Sequence, residues 1–188
     1  MYLFITFIAN IHNMPTLIKF LTVLCLCFMS VLSSAQQDNT RVNRNDFKLN
    51  LAVDGDTFYE SDVKAGPYIV GKDVLQIYPS EKVLLEVEQE HGVIKSLKVV
   101  KENRNPAKTI EVSFDQKANG KKHELMMLKI KNPFNMELKY RTSIFLMKES
   151  KWKSSNVLPV PAGLSSFETW PDIIVTIALD QWEFAKGI

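Results

Sequence analysis

Apolar and polar residues alternate along most of the chain beyond residue 46. The clearest stretch is residues 109–114, where Ile110, Val112 and Phe114 share one face and the residues between them are polar. This period of two predicts a β-strand with one buried face, because successive side chains of a strand point to opposite sides of the sheet. The same pattern marks residues 48–53, 82–88, 93–100, 126–130, 138–146 and 173–179. No window of a dozen residues has the apolar spacing of an amphipathic helix.

Turn-forming residues separate these stretches. Asn119-Gly120 lies between two of them and is the strongest hairpin signal in the chain, and Glu90-His91-Gly92 interrupts another pair. Further breaks occur at Asn105-Pro106, Asn132-Pro133 and Trp170-Pro171. We therefore expect an all-β fold with one domain over residues 47–188, an antiparallel immunoglobulin-like β-sandwich of about seven to nine strands. A small β-barrel is the alternative, because alternation alone does not reveal how many sheets form.

Two details of the last 40 residues carry further predictions. Trp182 and Phe184 have the opposite parity to Ile177 and Leu179, which predicts a β-bulge in the last strand. We expect Trp182 to belong to the core. Residues 150–171 form the longest irregular stretch, and we expect them to be mostly loop.

The first 35 residues have the organisation of an export signal. Residues 17–32 are almost entirely apolar with Lys19 as their one charge, and small residues follow up to Ala35. This order predicts a secretory signal peptide that is cleaved after Ala35, and we expect translation to start at Met14, which gives the more ordinary form of such a signal. A membrane anchor is disfavoured because residues 20–32 are too few to span a bilayer, which takes about 20 apolar residues.

Cleavage at this site has consequences for the exported domain. It removes both cysteines, Cys25 and Cys27, so the domain has no disulfide and relies on its hydrophobic core. A lipid anchor on either cysteine is disfavoured because each follows a leucine instead of a small residue. Residues 36–46 remain as a polar leader without periodicity, which we expect to be flexible. No stable membrane span remains, so we expect a periplasmic or extracellular protein.

Composition and charge exclude several classes of protein. With 46% hydrophobic residues the chain is too apolar to be disordered. Its formal net charge of +2 gives no general basic field, so nucleic acid is not an expected partner. The charges are nevertheless unevenly distributed. Residues 95–153 carry 15 basic and 6 acidic side chains, whereas residues 36–94 carry 6 and 11, and residues 154–188 carry 1 and 4.

A basic stripe is the first candidate binding surface. If residues 132–136 form a hairpin loop, Lys129 faces Lys139 on the polar side of two paired strands, with Lys131 and Arg141 beside them. Like charges that are directly opposed destabilise a sheet unless an anionic group lies alongside. We therefore predict that these four residues meet an acidic polymer, a membrane headgroup or a protein surface. The alternative is that basic and acidic segments neutralise each other in cross-strand pairs.

Two tryptophans are the second candidate. Trp152 and Trp170 lie outside the predicted strands and are candidates for contacting a sugar ring or an apolar partner. The alternative for Trp170 is that it plugs the end of the sandwich together with Phe167.

The sequence contains few residue patterns typical of catalytic or metal-binding sites. His91 and His123 have no spacing that would bring them together with carboxylates, so we interpret both as surface residues. Nucleophile-elbow and glycine-rich phosphate motifs are absent, and we expect neither an enzyme nor a cofactor. Asp54, Asp56 and Asp62 are a weak calcium candidate, but a tight turn explains the same residues, and we expect no metal.

These observations predict a non-catalytic exported binding module whose partner is a cell-envelope protein or a surface glycan. The alternative is a structural or accessory subunit of an envelope assembly that acts through an exposed sheet edge, and a hydrolase ranks third. A glycan would require Trp152 or Trp170 on a flat exposed face. Edge assembly would require an unprotected outer strand, and a hydrolase would require a pocket with two carboxyl groups of shifted pKa.

Overall fold

The structure, a computed structural model, describes residues 42–185, which contain fourteen β-strands and one 3-10 turn. The predicted signal peptide and the leader up to Arg41 lie outside the described residues. The first seven strands are β1 (Asn43–Arg44), β2 (Phe47–Ala52), β3 (Phe58–Val63), β4 (Gly66–Pro67), β5 (Ile69–Val70), β6 (Val74–Ile77) and β7 (Glu81–Glu90). The other seven are β8 (Val93–Val100), β9 (Thr109–Asn119), β10 (Lys122–Lys131), β11 (Leu138–Leu146), β12 (Lys151–Ser155), β13 (Ser165–Trp170) and β14 (Ile174–Phe184). Nowhere in the described range does a helix have the length and apolarity that a membrane span requires.

Ten of the strands form two antiparallel sheets that pack face to face. Sheet I has the strand order β13-β10-β9-β7-β8, and sheet II has the order β12-β11-β14-β6-β5. The remaining strands form two small pairs, β1 with β4 and β2 with β3. The predicted antiparallel β-sandwich is therefore confirmed, and the β-barrel alternative is wrong because the two sheets of the described residues do not close on each other.

The main core lies between the two sheets and consists of the alternate residues that the sequence pattern selects. Ile110, Val112 and Phe114 of β9 are all fully buried, as are Ile177 and Leu179 of β14. Their polar neighbours in sequence point away from the core, because the side chains of a strand alternate between the two faces of its sheet. The outer face of each sheet is the part of the sandwich that remains accessible to other molecules.

Two predicted hairpins are confirmed. Asn119-Gly120 joins β9 to β10, and Gly120 has a φ of 61°. The turn between β7 and β8 places His91 and Gly92 at φ values of 51° and 75°, so both central residues are left-handed. Such turns match the twist of the strands that they connect, which is why glycine or asparagine is favoured in them.

The predicted bulge in the last strand is also confirmed. Lys139 pairs with Glu183 and Arg141 with Asp180, so β14 has one residue more than β11 between these pairs. Gln181 takes a left-handed φ of 53° at this point. The extra residue turns Trp182 into the core, where its ring stacks on Tyr140 at a centroid distance of 5.5 Å.

The predicted hairpin between β10 and β11 is wrong. β10 pairs with β9 and β13 in sheet I, whereas β11 pairs with β12 and β14 in sheet II. Residues 132–136 therefore cross from one sheet to the other. Asn132 stabilises this crossing, because its buried amide nitrogen donates to the carbonyl oxygens of Met136 and Val160 and its side-chain oxygen accepts the N–H of Phe134. Alternation cannot distinguish such a crossing from a hairpin, since both keep the apolar residues inside.

The stretch predicted as loop contains two strands, which is a further correction. β12 lies at the edge of sheet II and β13 at the edge of sheet I, each with one partner strand. No side chain of β12 is buried, and β13 has only half-buried and exposed side chains. Edge strands of this kind lack the apolar alternation that identifies a strand in sequence. Together with the short strands β5 and β6 they raise the sandwich to ten strands.

The end of the predicted flexible leader is anchored, so that prediction is wrong for residues 42–46. Arg44 of β1 is 6% exposed and forms an ion pair with Glu81, which is 9% exposed, at 2.9 Å from Nε to Oε1. The guanidinium also donates to the carbonyl oxygen of Gln76 and lies 4.6 Å and 5.0 Å from the ring centroids of Tyr68 and Tyr78. Glu81 also accepts the N–H of Tyr78 at 2.8 Å. The charge pair is thus fully hydrogen-bonded in a nearly dry site.

The β2–β3 hairpin packs on the outer face of sheet II. Leu49, Leu51 and Val63 of the hairpin form a small second core with Val175 of β14 and with Phe145 of β11. Because the hairpin covers this apolar patch, the outer face of sheet II is partly closed to other molecules, whereas the outer face of sheet I carries no such cover among the described residues.

Gln116 of β9 ties the hairpin to sheet I. Its Oε1 accepts the N–H of Ala52 at 2.8 Å, and its Nε2 donates to the carbonyl oxygen of Ala52 at 2.9 Å. These two bonds fix the amide so that Nε2 also faces Nδ1 of His123 at 2.9 Å, and Nε2 of His123 donates to the carbonyl oxygen of Pro171 at 3.0 Å. The side chain of Gln116 therefore takes the place of a neighbouring strand for Ala52.

Replacing Gln116 by alanine is expected to lower the free energy of unfolding by about 1–3 kcal/mol, because the buried N–H and carbonyl of Ala52 both lose their partner. Urea unfolding measures this change. Gln76→Ala is the control, since the amide of Gln76 reaches Tyr78 and Thr176 only at 3.4 Å each. An equal loss of stability in the two variants would contradict the role given to Gln116.

Candidate interaction surface

The acidic residues of the calcium candidate build a turn. Oδ1 of Asp54 accepts the N–H groups of Asp56 and Thr57 at 3.1 Å and 3.0 Å and the hydroxyl of Thr57 at 2.9 Å. These hydrogen bonds, that from the Asp56 N–H foremost, hold the pKa of Asp54 below its usual value. Asp62 lies in β3 opposite Lys48. Across residues 42–185, no group of three or more histidine, cysteine, aspartate or glutamate side chains is placed to hold a metal ion.

The two histidines lie at opposite ends of sheet I. His91 is in the turn between β7 and β8, and His123 is beside the turn between β9 and β10. The fold therefore does not bring them together. His123 is half-buried and hydrogen-bonded to Gln116 and Pro171, so its role is structural and the prediction of an ordinary surface histidine is wrong for it.

The four residues of the predicted basic stripe do not form one stripe. Lys129 and Lys131 lie on the outer face of sheet I, whereas Lys139 and Arg141 lie on the outer face of sheet II, because β10 and β11 belong to different sheets. Arg141 forms an ion pair with Asp180 on the neighbouring strand β14, with Nη2 at 2.7 Å from Oδ2. Cross-strand pairing, the alternative interpretation of the charges, is thus confirmed for Arg141.

A different row of residues crosses the outer face of sheet I. The register pairs β7 with β9, β9 with β10, and β10 with β13, so that four side chains lie side by side across four strands. This outer row consists of Lys82, Ser113, Lys129 and Phe167. Of these four residues, only Lys129 was a predicted binding residue, because the neighbours of a residue across a sheet follow from strand order, which alternation does not reveal.

Glu111 neutralises part of the positive charge beside the outer row. Its two carboxylate oxygens each accept one lysine, Oε1 from Lys131 and Oε2 from Lys82, both at 3.1 Å. These bonds, that from Lys131 foremost, lower the pKa of Glu111. Within the described residues Lys129 has no carboxylate within 4.0 Å, and its ammonium lies 5.5 Å from the ring centroid of Phe167. Lys129 and Phe167 thus present a cation and an aromatic ring together.

Three exposed apolar side chains lie close to one another in sequence near β13. Seven large hydrophobic side chains are exposed in residues 42–185; of these, Phe167 lies on β13, Leu164 directly precedes it, and Leu158 lies in the loop before it. The backbone N–H of Leu158 donates to Glu168 of β13 at 2.8 Å, which holds Leu158 against that strand. Glu168 and Phe167 are successive residues of β13 and point to opposite faces of sheet I, so this contact does not place Leu158 on the face that carries Phe167. On the outer face of sheet I, the exposed apolar side chain beside a cation is that of Phe167.

The two tryptophan candidates do not share a surface. Trp170 packs against Phe114 at a centroid distance of 6.5 Å and donates its indole N–H to Ser155 at 2.8 Å. The side chain of Trp170 therefore links β13 to β12 at the edge of the sandwich. Trp152 is exposed on β12, with its ring edge-on to Phe145 at 5.5 Å, and was wrongly expected in a loop.

Charged side chains protect the edge strand β12. Lys151 and Lys153 bind the two carboxylate oxygens of Glu149 at 2.7 Å and 2.5 Å. Lysines on an edge strand oppose the addition of another strand, because the incoming chain would have to bury their charge. This edge is therefore unsuited to assembly by strand pairing.

The ion pairs of Glu149 with Lys151 and Lys153 make the pKa of Glu149 a measurable test of this arrangement. The hydrogen bonds from Lys151 and, next, from Lys153 lower the pKa of Glu149 to about 2, so its stabilising effect is present above its ordinary pKa of 4.5 and is lost as the pH falls toward 2. We expect the carboxyl resonance of Glu149 to titrate with a midpoint near 2 in an NMR pH titration. Combined Lys151→Gln and Lys153→Gln substitutions should return the midpoint toward 4.5. A wild-type midpoint near 4.5 would contradict this arrangement.

A groove with few groups suited to catalysis lies where the β7–β8 turn meets the end of β14. It has a volume of about 450 Å³. Its walls are mainly apolar, from Val93, Ile94, Met136, Trp182 and Phe184. Among its described lining residues, the titratable side chains are those of His91 and Glu183.

Comparison with known proteins adds no relative from which a function might be transferred. No protein-family model, no curated protein and no solved structure matches this chain.

Proposed function

We propose that this chain is an exported, non-catalytic β-sandwich module that binds another protein of the cell envelope through the outer face of sheet I beside β13. The observation that carries the proposal is the exposed pair of Phe167 and Lys129 on the outer face of sheet I. Aromatic residues are enriched at protein interfaces, and a cation beside the ring adds charge recognition to the apolar contact. Export rests on the signal-peptide pattern of the first 35 residues.

The shape of this surface favours a protein over a glycan. Sugar rings are bound by flat aromatic platforms, yet the indole of Trp170 is engaged with Phe114 and Ser155, and the exposed Trp152 lies on β12 of sheet II, away from this surface. The exposed apolar residues nearest to Phe167 in sequence are Leu158 and Leu164, which have no planar face. Aliphatic side chains of this kind are buried well by the apolar side chains of a protein partner.

The shifted carboxyl groups favour binding over catalysis. The pKa values of Asp54, Glu111 and Glu149 are all lowered by hydrogen bonds within turns or ion pairs. A general acid for hydrolysis needs the opposite shift, a carboxyl pKa raised toward neutrality. These three groups are therefore suited to holding the fold together.

Strand order supports the immunoglobulin-like interpretation. β13, β10 and β9 follow the order of strands E, B and A of an immunoglobulin-type sandwich, and β12, β11 and β14 follow the order of C′, C and F. β6 lies beside β14, in the spatial position of the last strand of that fold, but it precedes the other matched strands in the chain. Such sandwiches commonly serve as binding domains, although the fold alone does not define the partner.

The proposal is tested by capture from a solubilised envelope fraction of the source cells with the immobilised domain. Phe167→Ser should abolish the capture of a discrete protein, whereas Val93→Ser should retain it. The two side chains are matched controls, being 57% and 56% exposed on different strands of sheet I. Equal capture by wild type and Phe167→Ser would refute the proposed surface. Capture that is lost after enzymatic removal of glycans would favour the glycan alternative instead.

A further inference from the structure

We infer that the outer row binds a carboxylate side chain of the partner between Lys82 and Lys129, with an adjoining apolar residue on Phe167. This inference rests on the proposed function and names the chemistry of the partner. Its basis is the cross-strand order Lys82, Ser113, Lys129 and Phe167, which places one lysine on each side of the Ser113 hydroxyl group.

The spacing of the two lysines suits one small anionic group. Lys82 and Lys129 both pair with Ser113, from the two strands that flank it. Neighbouring strands are about 4.8 Å apart, so the two lysine backbones are about 10 Å apart and their four-carbon stems can converge above Ser113. A cavity of about 90 Å³ lies between them and is lined by these residues with Glu111 and Val112. This volume equals about three water molecules, enough for a carboxylate.

The charge balance leaves a positive field for an incoming group. Lys82 and Lys131 bind Glu111, Lys129 lies in the outer row beside them, and Asp115 follows Ser113 on the same face, so these five side chains together carry a net charge of +1. Glu111 already occupies the position between Lys82 and Lys131 and shows that a carboxylate fits between two lysines on this face. The position between Lys82 and Lys129, one row further along, is lined by Ser113. A partner carboxylate there would pair with Lys129.

Phe167 sets the second requirement on the partner. It is the next residue of the outer row beyond Lys129. An extended peptide rises about 3.3 Å per residue, so a residue two or three positions from the bound carboxylate reaches the ring. The partner segment is therefore expected to carry an acidic residue and, two or three residues away, an apolar one.

A peptide titration tests this inference directly. The probe is the extended peptide acetyl-Thr-Glu-Thr-Leu-Thr-amide, and its control has glutamine in place of glutamate. Amide NMR shifts of the domain should move at Ser113, Lys129 and Phe167 with the glutamate peptide, and its affinity should exceed that of the control about tenfold. Lys129→Gln should remove this difference. Lys139→Gln is the matched variant, since Lys139 is an exposed lysine on the outer face of sheet II, and it should leave the difference unchanged.

The outcomes separate this inference from the proposed function. Equal binding of both peptides, an equal effect of Lys129→Gln and Lys139→Gln, or no shifts up to 5 mM peptide (about a −3 kcal/mol association) would overturn the carboxylate site. Binding of inorganic phosphate that depends on Lys129, without binding of the glutamate peptide, would also overturn it. If combined Lys82→Gln and Lys129→Gln substitutions retain the captured envelope protein while Phe167→Ser loses it, the proposed function stands and the carboxylate site fails. If Phe167→Ser captures as wild type does, the proposed function fails as well.

Discussion

Replacing Arg44 by alanine is expected to lower the free energy of unfolding by about 3 kcal/mol. The substitution leaves the carboxylate of Glu81 without its cation in a site where both side chains are less than a tenth exposed. It also removes the cation from the rings of Tyr68 and Tyr78 and the donor to the carbonyl oxygen of Gln76. An uncompensated buried charge is one of the few single changes that destabilise a domain to this extent. Urea unfolding of the purified domain measures the loss.

The control for Arg44 is an ion pair on the neighbouring hairpin. Lys48 and Glu60 are 3.2 Å apart, but both side chains are more than half exposed. Exposed pairs contribute little, so Lys48→Ala should cost less than about 1 kcal/mol. A cost of less than 1 kcal/mol for Arg44→Ala as well would show that β1 is not anchored by this pair.

Replacing Phe114 by alanine is expected to cost about 3–5 kcal/mol. Phe114 is fully buried between the sheets, and its ring packs edge-on against Trp170. The substitution removes the whole ring from a core that cannot close around the cavity, because strands on both sides of β9 hold it in place. Thermal and urea unfolding both report this loss, provided that the unfolding is reversible.

Phe167→Ala makes the same chemical change in the same sheet with a different expected result. The ring of Phe167 is on the outer face and contacts Lys129, so its removal should cost less than about 1 kcal/mol. The two variants together separate stability from binding. If Phe167→Ala destabilised the domain as much as Phe114→Ala, Phe167 would belong to the packing of the fold, and its use as a binding residue would be contradicted.

Much of the fold was predictable from local patterns. The burial of Ile110, Val112 and Phe114 follows from alternation, and the Asn119-Gly120 turn follows from the backbone angles that a tight hairpin requires. The bulge at Gln181 was predictable as well, because a change of parity in the apolar pattern requires an extra residue. Each of these features depends on residues that are close in sequence.

The features that local patterns missed depend on strands that are distant in sequence. Residues 132–136 were predicted to form a hairpin because the apolar faces of β10 and β11 align equally well in either arrangement, and only the pairing of β10 with β13 excludes it. The same error produced the basic stripe of Lys129 with Lys139. The outer row combines residues of β7, β9, β10 and β13. The strand that contains Phe167 was not predicted, because its sequence lacks the apolar alternation of a strand with a buried face.

Site-specific photo-crosslinking in the source cells tests directly whether the outer face of sheet I beside β13 contacts another protein. A benzophenone side chain is placed at Thr169, which is exposed on the same face as Phe167 and leaves Phe167 intact, and in a second variant at Val93. We expect a discrete crosslinked protein from position 169, none from position 93, and loss of the crosslink when Phe167→Ser is added. No crosslink at position 169, or one that persists with Phe167→Ser, would contradict this contact.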